Sequence, residues 1–261
     1  MRTFTRLTLV GAASALLIAG FAAPAQAQAT EYSALGDSYA SGLGTREYFD
    51  EDCKKSNLAY PALIADANGY ALDFAACSGA KVPDVANNQL GGLSDSTGRV
   101  TLSVGGNDIG WGDVVASCAK PWPYTCWGDI DEAERKIREE LPGALDGLYG
   151  EVRAAAPNAQ VAIVGYPRLF NETDECNAIS RISPEEQVEL NDGADLLSDT
   201  IAGVAANHGF DYVDVRDPFT GHAVCDDPEW INGTSDPIDE SYHPNRDGHA
   251  SGYAPAVGAR L

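Results

Sequence analysis

Glu31-Tyr32-Ser33-Ala34-Leu35-Gly36-Asp37-Ser38-Tyr39 runs from a short apolar segment straight into a tight turn. Residues Glu31 to Leu35 read as a buried strand, and the Gly-containing turn leaves the Ser38 hydroxyl at its carboxyl end. Four more segments have the same strand character: Ala71 to Ala76, Val100 to Val104, Val161 to Val164 and Phe210 to Val215. Helical patterns separate them. Asn57 to Ala67 is one, with Pro61 placing its start near Tyr60, and Asp129 to Ala156 is another, interrupted at Leu141-Pro142-Gly143. A third opens at Ser183, where Pro184 fits the first helical position, Glu186 completes a capping box and Gly209 ends the run. Strands alternating with helices predict a single α/β domain, a parallel sheet of about five strands with helices on both faces. Ligands of such sheets bind beyond the carboxyl ends of the strands. The segment from Asp217 to Leu261 lacks periodicity and is read as a long irregular, functional tail.

Composition bounds the partners. The 261 residues are 44% hydrophobic and 21% charged, with 17 Lys plus Arg against 39 Asp plus Glu and a formal charge of -22. That field repels nucleic acid and anionic bilayers. Residues 1–29 read as a secretory signal peptide: Arg2 and Arg6 precede an uncharged apolar run from Leu7 to Ala23, and Ala25-Gln26-Ala27 and Ala27-Gln28-Ala29 offer small-x-small cleavage sites. Residues 30–261 then form the domain, expected to be an extracellular monomer with no transmembrane segment. The cysteines Cys53, Cys77, Cys118, Cys126, Cys176 and Cys225 include no C-x-x-C pair, so disulfides are expected rather than zinc or redox chemistry. Many pairings are open. Pairing in order of appearance closes the shortest loops: Cys53 with Cys77, Cys118 with Cys126, Cys176 with Cys225.

The chemistry-bearing residues cluster at the predicted strand ends. Ser38 ends the first strand, Ala76-Cys77-Ser78-Gly79-Ala80 ends the second, and Ser103-Val104-Gly105-Gly106-Asn107-Asp108 ends the third. Gly79 permits close approach of a backbone N–H, and Asn107 offers an amide donor. In the tail, Ser241-Tyr242-His243-Pro244-Asn245 supplies an imidazole that can accept the Ser38 proton. The plainer alternative is an ordinary turn in which Ser38 caps a helix. His208, His222 and His249 have no metal-site spacing and read as ordinary solvated side chains. Asp50-Glu51-Asp52 and Asp226-Asp227 do not match a calcium loop. Trp111, Trp122 and Trp127 surround the Cys118 to Cys126 loop and could either shape an apolar groove or fill the core.

These segments resemble the consensus blocks of the SGNH, or GDSL-type, hydrolase family over essentially the whole chain after the leader. The resemblance extends to a secreted actinobacterial branch of lipases and esterases, through Ala34-Leu35-Gly36-Asp37-Ser38-Tyr39, Ala76-Cys77-Ser78-Gly79-Ala80, Gly105-Gly106-Asn107-Asp108, Ser241-Tyr242-His243-Pro244 and the cysteine spacing. It implies a flavodoxin-like sheet and three disulfides; no cofactor is expected, and the spacing of the histidines and acids gives no metal site. It also implies a Ser38 nucleophile, a His243 base, and an oxyanion hole from the Ser38 N–H, the Gly79 N–H and the Asn107 side chain. The general family pattern has an Asp three residues before the His, where this chain has Glu240, with Asp239 one residue earlier. In the resembled branch the carbonyl of the residue two before the His, here Ser241, replaces that acid, so a Ser38-His243 dyad is favoured over a triad. The expected activity is hydrolysis of lipid or other acyl esters through an acyl-enzyme, with phospholipase and thioesterase activities within its range. Carbohydrate acetyl esterase activity is one alternative. A non-catalytic binding protein on a hydrolase scaffold is another.

Overall fold

A computed structural model of the chain describes residues 1, 3, 29–121, 123–173 and 182–261. The leader, Trp122 and Cys176 lie outside the described residues, except for positions 1, 3 and 29 of the leader. Five parallel strands form one sheet: β1 (Glu31–Gly36), β2 (Ala71–Phe74), β3 (Thr97–Ser103), β4 (Gln160–Val164) and β5 (Asp211–Val213), in the order β2-β1-β3-β4-β5. This is the flavodoxin-like order, with its switch point between β1 and β3. Strand β2 stops two residues before the predicted Ala76, so Gly79 belongs to the following loop.

Side-chain alternation along the strands divides the core in two. Tyr32, Ala34, Ala162 and Val164 face one side, where α2 (Tyr60–Asn68) and α9 (Ala254–Gly258) supply Ile64 and Val257. Leu35, Val100, Leu102, Val161 and Ile163 face the other, against α3 (Val82–Asn88), α7 (Leu141–Ala155) and α8 (Pro184–Asn207). The remaining α-helices among the described residues are α1 (Ser38–Ser41), α4 (Gly106–Ile109), α5 (Trp111–Cys118) and α6 (Trp127–Glu139).

Local chemistry sets the helix ends. Helix α2 starts at Tyr60 with Pro61 in its first turn. Helix α8 carries the expected capping box, in which the Glu186 N–H donates to Ser183 Oγ at 3.3 Å and the Ser183 N–H to Glu186 Oε2 at 3.0 Å. The break between α6 and α7 is a single residue, Glu140, and Pro142 sits in the first turn of α7, where its missing N–H leaves no bond unmade. The tail is less irregular than its sequence suggests: a π-helical turn, Gly248–Tyr253, runs into α9. Ala254-Pro255-Ala256-Val257-Gly258 has no amphipathic stripe to read, and packing of Val257 and Tyr253 onto α2 holds it. No described helix is long and apolar enough to cross a membrane.

Disulfides join Cys53 to Cys77 and Cys118 to Cys126. The remaining expected pair involves Cys176 and therefore lies outside the described residues.

Two main chains approach very closely where β1 and β3 end together. Gly36 pairs with Ser103 in the ladder, has φ of 130°, and its Cα lies so near the Ser103 main chain that a side-chain carbon would collide with the carbonyl. The buried Gln89 amide closes this end, accepting from the Gly36 N–H at 2.7 Å and donating to the Gly36 carbonyl at 2.9 Å. We expect Gly36→Ala to lower the unfolding free energy by about 3 kcal/mol or more, from backbone strain and overpacking together. Urea unfolding followed by circular dichroism checks this, and a loss below about 1 kcal/mol would mean the strands separate without penalty.

Candidate active site

The chain leaves β1 through Asp37, whose N–H donates to the Ser103 carbonyl at 2.9 Å. Asp37, not Ser38, caps α1: its carboxylate accepts the Tyr39 N–H at 3.0 Å, and Ser38 is the first helical residue. This frees the Ser38 hydroxyl from capping. Ser38 Oγ lies 2.8 Å from His243 Nε2, across 205 positions of sequence. His243 Nδ1 lies 2.9 Å from the Ser241 carbonyl. A carbonyl only accepts, so Nδ1 carries the proton and Nε2 presents its lone pair to the serine hydroxyl.

The carboxylates expected as alternatives are placed elsewhere. Glu240 is buried, but Tyr48 Oη donates to its Oε1 at 2.6 Å and Arg46 Nε lies 3.2 Å from its Oε2. Both oxygens are drawn toward the segment after α1. Asp239 is exposed at the rim, with no described hydrogen bond to the ring, and acts on it only through its charge.

The histidine loop is fastened to the Ser38 turn by residues that the sequence does not mark. Asn232 is central. Its N–H donates to the His243 carbonyl, its carbonyl accepts the Tyr242 N–H, and its buried side-chain amide donates to the Gly44 carbonyl, each at 2.9 Å. Tyr39, next to the serine, donates its hydroxyl to the Tyr242 carbonyl at 2.7 Å. Arg246 Nε donates to the Thr45 carbonyl at 2.8 Å. Nothing in Ile231-Asn232-Gly233 marks the asparagine, because its side chain's partner is a main-chain carbonyl 188 positions away.

Asn107 lies in α4 and lines a cavity together with Ser38 and His243. Its Nδ2 donates one hydrogen to the Ala80 carbonyl at 3.1 Å, which ties it to the loop that carries Gly79. Gly79 has φ of 80° and open space where a side chain would project. The Cys53 to Cys77 disulfide and the Ser78 N–H bond to the Cys53 carbonyl at 3.0 Å hold that loop. Tyr166 links the bases of α1 and α4, donating to Asp37 Oδ2 and accepting the Gly106 N–H at 3.3 Å.

A cavity of about 500 Å³ opens beside Ser38 and His243, lined mainly by apolar groups that include Trp111, Val115, Leu169, Ala194 and Leu197. Of the tryptophans flanking the Cys118 to Cys126 loop, Trp111 forms wall, whereas Trp127 is 42% exposed and outside the lining. His249 is not solvated: it is wholly buried beneath Tyr60 and Tyr253.

Electrostatics favour a neutral imidazole. Desolvation pushes His243 down to about 4, and the Ser241 hydrogen bond and the Asp239 charge only partly oppose it. The ring is therefore an unprotonated base across the neutral range. A titration of its Cε1–H resonance by NMR should give a midpoint near 4, and a midpoint at the ordinary histidine value of about 6.5 would contradict the enclosure.

The GDSL-like lipase/acylhydrolase family model matches residues 34–251. Lipase 1 of Streptomyces coelicolor is 41% identical over 265 aligned positions, covering 97% of this chain and 98% of that protein. Among solved structures, a phospholipase A1 from Streptomyces albidoflavus superposes with a TM-score of 0.84 at 41% identity, covering 90% of this chain and all of that one. An extracellular lipase from Streptomyces rimosus superposes at 0.85 with 36% identity, covering 89% of this chain and all of that one. A match of this length, joined to a parallel five-stranded sheet with a serine and a histidine in contact at its carboxyl end, places the chain in the GDSL-like lipase/acylhydrolase family.

Proposed function

We propose that this chain is an exported serine hydrolase that cleaves carboxyl esters of lipids through an acyl-enzyme on Ser38. The observation that carries the reading is the 2.8 Å contact between Ser38 Oγ and a neutral His243 Nε2 at the edge of a large apolar cavity. Lipase and phospholipase relatives support the substrate class. Export is supported by the leader pattern of residues 1–29, with 30–261 as the secreted domain.

In this mechanism His243 Nε2 takes the Ser38 proton as Oγ attacks the acyl carbon. The Ser241 carbonyl holds the ring through Nδ1–H and bears against the imidazolium that forms. The developing oxyanion is met by the Ser38 N–H, the Gly79 N–H and the Asn107 Nδ2 hydrogen that Ala80 does not use. One such donor is typically worth about 3 kcal/mol of barrier. His243 then returns the proton to the leaving alcohol, and water repeats the sequence on the acyl-enzyme. A large apolar cavity favours an acyl chain over an acetyl group on a sugar, since an acetyl would leave most of it unfilled.

Ser38→Ala should lose hydrolysis of p-nitrophenyl butyrate, and an organophosphate should label Ser38 in the parent protein, as peptide mapping by mass spectrometry would report. Labelling at another residue, with activity kept in the alanine variant, would overturn the mechanism. Asn107→Ala should lower kcat by about 10² to 10³ with KM little changed, because the donor acts mainly in the transition state.

Glu240→Gln and Asp239→Asn separate a dyad from a triad. With the Ser241 carbonyl orienting the ring, each should cost less than about tenfold in kcat, against about 10⁴ for loss of an essential orienting carboxylate. The same assays fix the pH dependence: activity requires the neutral ring, so a depressed histidine value moves the acid limb of kcat/KM well below about 6.5.

A further inference from the structure

The cavity beside Ser38 is walled by two helices. Val115 and Ala116 come from α5, Ala119 from the residue that caps its end, and Ala194 and Leu197 from α8. Trp111, the first residue of α5, lines the cavity too, and the far edge of its indole rests on Gly193 of α8. A Cβ on Gly193 would stand 2.5 Å from Cη2 and 3.0 Å from Cζ3 of that ring. Carbon atoms in favourable contact are about 3.5 to 4.0 Å apart, so the two cannot coexist as placed. Both atoms belong to a rigid bicycle, and no rotation at the tip of the side chain relieves the overlap. The whole ring would have to leave α8.

Backbone geometry does not account for the glycine. Gly193 is in the body of a 24-residue helix, outside the left-handed region, where glycine is about 1 kcal/mol worse than alanine. Gly203 in the same helix is exposed, with open space at its Cβ position. What distinguishes Gly193 is the indole. With a hydrogen at that position the edge of the indole lies against α8, and the same tryptophan lines the cavity.

We propose that Gly193 is a specificity-determining residue that acts through Trp111: by seating the indole against α8 it sets the depth of the cavity and admits long acyl chains. This rests on the ester-hydrolase reading above. An alanine at 193 raises helix propensity, so its expected harm to long substrates has to come from the displaced ring. Each methylene denied burial weakens binding about fourfold, so a wall shifted by two or three methylenes is worth at least about tenfold.

The test compares kcat/KM for p-nitrophenyl acetate, butyrate, caprylate and palmitate across the parent, Gly193→Ala, Gly193→Ala with Trp111→Phe, and Gly203→Ala. Gly193→Ala should lose at least about tenfold on caprylate and palmitate while staying within about twofold on acetate. Phenylalanine lacks the second ring's Cη2 and Cζ3 edge, so the double variant should recover the long-chain rates to within about threefold of the parent. Gly203→Ala should keep the parental profile. A parallel change on all four esters in Gly193→Ala, or no recovery in the double variant, overturns the proposal. Binding of cis-parinaric acid to Ser38→Ala protein, with and without Gly193→Ala, reads the cavity without turnover. Weakening by about tenfold supports the proposal and equal affinity overturns it. A parent protein that hydrolyses none of the esters yet shows this binding difference overturns the hydrolase reading alone.

Discussion

The hydrogen bond from the Asp37 N–H to the Ser103 carbonyl joins the carboxyl ends of β1 and β3 at the one place where the sheet's winding reverses. It forms because Gly36 allows the two main chains to approach more closely than any side chain would permit. From that junction α1 and α4 start, carrying Ser38 and Asn107, which line the same cavity. Tyr166 bridges their bases and Gln89 seals the end of the strand beneath them. A slip at this point would move the serine relative to every group that acts with it.

The histidine arrives from the far end of the chain, and closing so long a loop has an entropic cost that local contacts must offset. Asn232, Tyr39 and Arg246 supply those contacts, mostly through main-chain carbonyls. Main-chain partners suit this task because they hold position without adding charge beside the imidazole. The chain has a large acidic excess, yet the buried carboxylate of Glu240, close to the histidine in sequence, is turned onto Tyr48 and Arg46. The ring's direct partners are therefore neutral, and the Asp239 charge acts on it only from the rim. Desolvation is left as the dominant influence on it and keeps it unprotonated.

Apolar packing decides the remaining character of the site. Small residues on α5 and α8 leave a cavity where larger ones would complete a core, and Trp111 spans the gap between the helices. The cost of unfilled apolar volume falls on stability when no ligand is present. An acyl chain restores the lost contacts.

The order of strands and helices was legible in the sequence because it depends on local patterns: apolar runs ending in glycine, the Ser183-Pro184-Glu186 cap, and Pro61 and Pro142 in first turns. Gly36-Asp37-Ser38 and the His243 segment could also be picked out, since their residue types fall at predicted strand ends and in an aperiodic tail. What the sequence could not specify is whatever depends on distance between remote segments. The choice of a carbonyl over Glu240 at Nδ1 is made by Tyr48 and Arg46, which draw the carboxylate away. The capping of α1 by Asp37 rather than Ser38 depends on a junction with β3, the anchoring role of Asn232 on Gly44, and the meaning of Gly193 on an indole in another helix. Local propensity is written residue by residue, whereas these contacts exist only once the two faces of the sheet are covered.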